Sequence, residues 1–163
     1  MKRLSLLLSS LALLGACANN PPVLDTDNAN MEVTPLDAGK DLAAAGESPL
    51  VWGGVIVDAA NLEKQTQLEI LSYPLTKSLR PDTSRSPTGR FLIRHDGYLE
   101  TIDYAPGRKL TAVGEVKHLQ NQMVGEASYD FPVMQDRQIH LWSEQDELTQ
   151  PRFNFGFGVV LTN

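Results

Sequence analysis

Arg80, Asp82, Arg85 and Arg90 lie close together in a polar stretch, LRPDTSRSPT, that runs from Leu79 to Thr88 and on to Gly89-Arg90. A guanidinium can hold a carboxylate through two parallel N–H···O bonds, so these residues have two readings. One is an internal Arg–Asp staple that fixes a long loop, and this is preferred; the other is a binding edge for an acidic ligand or partner. His95, His118 and His140 are the only histidines, and none has another at the three- or four-residue spacing that lets two imidazoles face one metal. They read as solvated strand or loop side chains, and no metal is expected. Ser72, Ser84, Ser86 and Ser128 sit in no Gly-x-Ser-x-Gly turn, and no Gly-rich phosphate loop precedes a Lys. Asp96, Glu100 and Asp103 could divide acid and base roles, but their neighbours Gly97 and Ala105-Pro106-Gly107 make them turn formers. The residues therefore point to no catalytic constellation and no cofactor.

Composition narrows the field further. The chain has 163 residues, 14 basic against 20 acidic side chains and a formal charge of -6. With no basic cluster, nucleic acid is excluded as a partner, because phosphates demand grouped Lys and Arg. One cysteine excludes an internal disulfide framework and a Cys-based zinc site. At 42% hydrophobic and 21% charged residues, the chain can bury one core.

The first twenty residues read MKRLSLLLSSLALLGACANN. Lys2 and Arg3 precede an apolar run from Leu4 to Leu14, far short of the roughly 20 residues a spanning helix needs. That is the pattern of a secretory signal peptide. Leu14-Gly15-Ala16-Cys17 resembles the bacterial lipobox. The resemblance implies cleavage between Ala16 and Cys17, a diacylglyceryl group on the Cys17 thiol and a further acyl chain on its freed amine. Ala18, rather than Asp, follows Cys17, which by resemblance to lipoprotein sorting rules sends the chain to the outer membrane; a periplasm-facing domain is the default expectation there. Processing removes Lys2 and Arg3 and leaves a more acidic body, so attachment is expected to come from the acylated Cys17 and not from a basic surface patch.

Three segments follow from this: a lipoprotein signal peptide over 1–16, a lipidated N-terminus and extended tether over 17–48, and a β domain over 49–163. The tether contains no aromatic residue and is rich in Asn, Asp, Ala and Pro, too little apolar surface to offset backbone ordering. Within it, Asp41 to Gly46 could form one helical turn with Gly46 as its stop. From Leu50 onward β-branched residues dominate. Strands are expected over Leu50–Val57, Gln65–Leu75, Gly89–Ile93 with Gly97–Ile102 across an Asp96-Gly97 hairpin turn, Lys109–Leu119 and Met123–Met134. Phe153, Phe155, Phe157, Val159 and Leu161 alternate with polar or small residues, as a last strand or an exposed contact stripe would. The Gly53-Gly54 pair marks a bulge or a close backbone contact, and Gly114 and Gly125 suit the bends of a tightly coiled sheet. The fold class is all-β: a small OB-like five-stranded barrel, with a β-sandwich as the alternative.

Six segments in order carry a family resemblance: WGGVIVD from Trp52, LEILSYPL from Leu68, RPDTS from Arg80, GRFL from Gly89, DGYLETIDYAPGRKLTAVGEV from Asp96 and YDFPV from Tyr129. Together with the lipobox they resemble the Slp family of Gram-negative outer-membrane lipoproteins, first named for starvation-induced expression. The similarity covers about Leu50 to Val133 and fades in the tether and after Gln135. It implies an outer-membrane lipoprotein with a compact β domain. Together with the lipobox and the missing catalytic constellation, it leads to the expectation of a non-enzymatic, lipid-anchored domain with a structural or partner-binding role. The alternative is a small-ligand or glycan-binding lipoprotein that uses the barrel face between the loops near Arg80–Arg90 and Asp103–Arg108. It supplies no catalytic residues. The partners implied are outer-membrane lipid, through acylated Cys17, and an unnamed envelope protein or small ligand.

Overall fold

Thr66, Leu68, Ile70 and Ser72 are buried and alternate with partly exposed Gln65, Gln67, Glu69 and Leu71, the period-2 pattern of a strand with one face on a core. The computed structural model describes residues 23–143. In it this segment is β2 (Gln65–Ser72), flanked by β1 (Leu50–Asn61) and β3 (Gly89–Asp96), and followed by β4 (Lys109–Val124) and β5 (Ala127–Leu141). The strands close in the order β1-β2-β3-β5-β4. All neighbours are antiparallel except β3 and β5, which pair in parallel from Leu92↔Val133 to Arg94↔Gln135. The sheet is an OB-like barrel and not a sandwich.

Closing five strands into so narrow a ring forces backbones together. A Cβ on Gly54 would lie 2.1 Å from the Leu71 carbonyl oxygen, and one on Gly114 would lie 2.4 Å from that of Gln135. The Gly53-Gly54 pair therefore serves close contact, while the bulge of β1 comes later, between Ile56 and Asp58. Gly125 is not inside a strand. At φ 62° it makes the tight turn between β4 and β5, so the stretch expected over Met123–Met134 is divided between two strands of one long hairpin. Gly97–Ile102 is likewise not a strand. Its backbone turns, with Asp103 N and Tyr104 N both donating to the Glu100 carbonyl, and the 97–108 loop folds across the end of the barrel.

The segment before β1 departs most from expectation. From Leu24 on it is packed on the barrel, so the extended tether expected over 17–48 does not describe these residues. Thr34 caps α1 (Pro35–Lys40): its hydroxyl accepts from Asp37 N at 3.2 Å while its own N–H donates to the Asp37 carboxylate at 3.1 Å. The Thr34 hydroxyl also donates to Asp37 Oδ2 at 2.5 Å, and this bond first, with that of the Thr34 N–H, holds the Asp37 carboxyl below the usual carboxylate range. A 3-10 turn (Leu42–Ala45) follows, started by Asp41 and stopped by Gly46 as anticipated. Leu24, Ala38 and Ala45 are buried, and Trp52 Nε1 donates to the Val33 carbonyl at 2.7 Å. The composition argument fails because this segment need not build a core of its own. Its few apolar side chains fill gaps in one that the strands already provide.

The interior is filled. Leu50, Trp52, Ile56, Leu68, Ile70, Phe91, Ile93, Leu110, Ala112 and Met134 form one buried cluster with Ala38 and Ala45. Trp52 and Phe91 meet edge to face, with centroids 5.1 Å apart. On the outer face, Leu92, Phe131 and Val133 form a second cluster under Tyr129 and Val124. The alternating residues Phe153 to Leu161, together with Ala16 and Cys17, lie outside the described residues.

Candidate functional site

The residues of the polar loop are distributed rather than gathered. Asp82 Oδ1 accepts from Ser84 Oγ at 2.6 Å and from Ser84 N at 3.1 Å, closing an Asx turn. Those bonds, chiefly from the Ser84 side chain, hold its carboxyl below the ordinary range. Arg80 lies 5.4 Å from the centroid of the Trp142 ring and donates to the Ser143 carbonyl at 3.3 Å. Arg90 pairs with Glu69 on the neighbouring strand at 2.5 Å. Arg85 is exposed, its N–H on the Asp82 carbonyl. The loop is thus held by Arg80 on Trp142 and by Thr111 Oγ1, which donates to the Leu79 carbonyl at 2.6 Å; the ion pairs among the described residues do not include the expected Arg–Asp staple.

Folding this loop beside the N-terminal segment creates an apolar groove of about 360 Å³. Met31, Val33 and Pro35 of the N-terminal segment line it together with Trp52 of β1 and Leu75 and Leu79 of the loop. Met31, 51% exposed, keeps it open to solvent. Nothing in local spacing foretold it, since its walls come from segments some forty residues apart.

A second concavity, of about 320 Å³, lies on the outer face where β3, β5 and β4 run together. Arg94, Lys117 and His118 line it with Gln65, Gln135 and Val133. Arg94 Nη2 donates to Gln120 Oε1 at 2.7 Å. Lys117 and Arg137 both donate to Glu115, which holds that carboxyl below its usual range, Lys117 contributing most. An acidic chain thus carries a local basic cleft that its overall composition conceals.

The histidines are not simply solvated. His95 Nδ1 lies 2.9 Å from Asp136 Oδ2, and the Asp136 side chain is only 5% exposed. His140 stands edge to face on Trp142 at 4.4 Å, and His118 lines the basic cleft. Tyr104, partly buried against the core cluster, has its hydroxyl pushed up by burial and by the charge of Asp136. Among the described residues no group of three or more His, Cys, Asp or Glu could hold a metal ion. Glu100 and Asp103 shape one turn and Asp96 ends β3.

A family model described as the outer membrane lipoprotein Slp family matches residues 14–158. The chain belongs to that family. The match begins before Cys17 and extends well past Val133, so the likeness does not fade at Gln135. Outer membrane protein Slp of Escherichia coli (strain K12) is 25% identical over 167 aligned residues, covering 97% of this chain and 85% of that protein. The uncharacterized lipoprotein YeaY of the same organism is 29% identical over 100 residues, 61% of this chain and 51% of its own length. An uncharacterized protein of Haemophilus influenzae is 29% identical over 92 residues, 56% of this chain and 50% of its own. This member of the Slp family is accordingly an outer-membrane lipoprotein, and none of its described helices is long and apolar enough to cross a membrane.

Proposed function

We propose that the chain is a non-enzymatic, periplasm-facing lipoprotein that takes a partner into the groove between its N-terminal segment and the 73–88 loop. In this reading the bond between Ala16 and Cys17 is cut and Cys17 carries the acyl chains. At about 0.8 kcal/mol per buried methylene, two or three chains hold where one would not. The filled barrel interior carries the reading. Because apolar side chains fill the barrel among the described residues, recognition falls to the outside, where the groove offers an apolar lining. A small-ligand reading is the second, favoured by a volume at the lower end of the roughly 300–1,000 Å³ of ligand pockets.

Native mass spectrometry of the detergent-extracted mature protein tests the anchor and separates the two occupants. The expected species is a triacylated protein without a further mass, together with an in-cell photocrosslink from position Thr76 to one envelope protein that Met31→Glu weakens. A reproducible small extra mass removed by Met31→Glu selects the ligand reading. An unacylated Cys17 overturns the anchor.

A further inference from the structure

We propose that the basic cleft between β3, β4 and β5 binds the phosphate of a lipid headgroup on the leaflet that holds the chain. The proposal rests on the anchoring reading for proximity, and on the cleft's own chemistry for recognition. Arg94 and Lys117 line the cleft; Lys117 shares the Glu115 carboxylate with Arg137 beside it, so one carboxylate is divided between two cations, while Arg94 bonds a neutral amide. Its lining side chains Gln65 and Gln135 carry amide N–H groups, which suit phosphate oxygens. A guanidinium has five donors, and the bond to Gln120 uses one while fixing the side chain in place.

Chain length places the cleft near lipid. Leu24 is buried against Val51 and Val113, and Asp25 N donates to Gln138 Oε1 at 3.0 Å, which ties the start of the described chain to β4 and β5. Lys117 lies four residues along β4 from Val113, about 13 Å at strand rise. Cys17 precedes Val23 by six residues, which span at most about 21 Å even when fully extended. A domain on so short a lead stays at the leaflet surface, where a cleft of this sign meets headgroup phosphates. The acidic body repels such a surface as a whole, so the cleft would also orient it.

The test labels amines on the mature lipidated protein and follows Lys117 by mass spectrometry, with Lys40 as the reference. In phosphatidylglycerol–phosphatidylethanolamine vesicles, Lys117 should react about fivefold more slowly than in an uncharged detergent, the effect of roughly one charge contact at an anionic surface. Lys40 should not change. Arg94→Gln should remove most of the slowing and Arg94→Lys should keep it. Equal rates in vesicles and detergent overturn the proposal. So does an equal slowing by millimolar inorganic phosphate in detergent alone, which assigns the cleft to a soluble phosphate. The intact mass of the same sample reports acylation separately. Slowing without acyl mass removes the anchor and leaves the cleft, whereas acyl mass without slowing does the reverse.

Discussion

At one end of the barrel Trp52 and Phe91 meet edge to face beneath Ala38 of α1, and Trp52 reaches out only to hold the Val33 carbonyl. At the other end the Thr66 hydroxyl donates to Asn61 Oδ1 at 2.6 Å and accepts from Leu99 N at 2.9 Å, and His95 meets the buried Asp136 nearby. The first end is sealed by apolar volume and the second by directed polar bonds. Volume tolerates small shifts, because burial scales with area and has no direction. A hydrogen-bonded closure does not, because each buried donor or acceptor left unmet costs its desolvation.

The largest expected effect breaks the apolar end. Phe91→Ala removes a fully buried ring and should cost about 3–5 kcal/mol in denaturant unfolding. It should also raise hydrogen exchange across residues 33–40, because α1 rests on the ring cluster. A loss well under this range, with α1 still protected, would show that the helix holds itself. His95→Ala should cost less, about 1–3 kcal/mol, by leaving the Asp136 carboxylate without its partner. Here exchange should rise over 97–108 and not over α1. Equal loosening of both segments would mean that the ends are coupled, not independent.

The smallest effect is electrostatic and sharpens the contrast by locating acid sensitivity on the surface. The carboxyls of Asp37, Asp82 and Glu115 are held below their usual range, Asp37 and Asp82 by Thr34 and Ser84 and Glu115 by Lys117 and Arg137. Groups depressed in the folded state stabilise it above their unfolded values and lose that contribution as pH falls through the folded ones. Melting temperature should therefore be flat near neutrality and fall in acid. Thr34→Ala should shrink that fall and cost about 1 kcal/mol near neutral pH through the lost cap. An unchanged acid slope in the variant would remove Asp37 from the account.

Much of the barrel was legible in residue order. The runs at Leu50–Val57 and Gln65–Leu75 report strands because burying one face of a pleat demands alternation or β-branching, although the second strand ends at Ser72. Gly53-Gly54 leaves a bulge and a close contact open, and the structure decides for the contact. The 97–102 stretch misled, since Asp96-Gly97 marks a turn without saying whether a strand follows. Tyr98 and Ile102 are in fact exposed. The segment 23–48 misled for the opposite reason: composition measures whether a segment can fold alone, and this one does not have to. Neither concavity was legible as such. Arg80 and Arg90 are close in sequence, yet one lies over Trp142 and the other pairs with Glu69.

Local order alone thus carried the expectation of an export signal and of acylation at Cys17, and it determined the β character of the chain, because each depends on composition or on periods of a few residues. Closure of the ring, the docking of α1, the pairing of His95 with Asp136 across forty residues, and the assembly of Arg94 with Lys117 and His118 were decided only in three dimensions. These contacts join residues distant in the chain, and their energies depend on distance and burial that no single segment encodes.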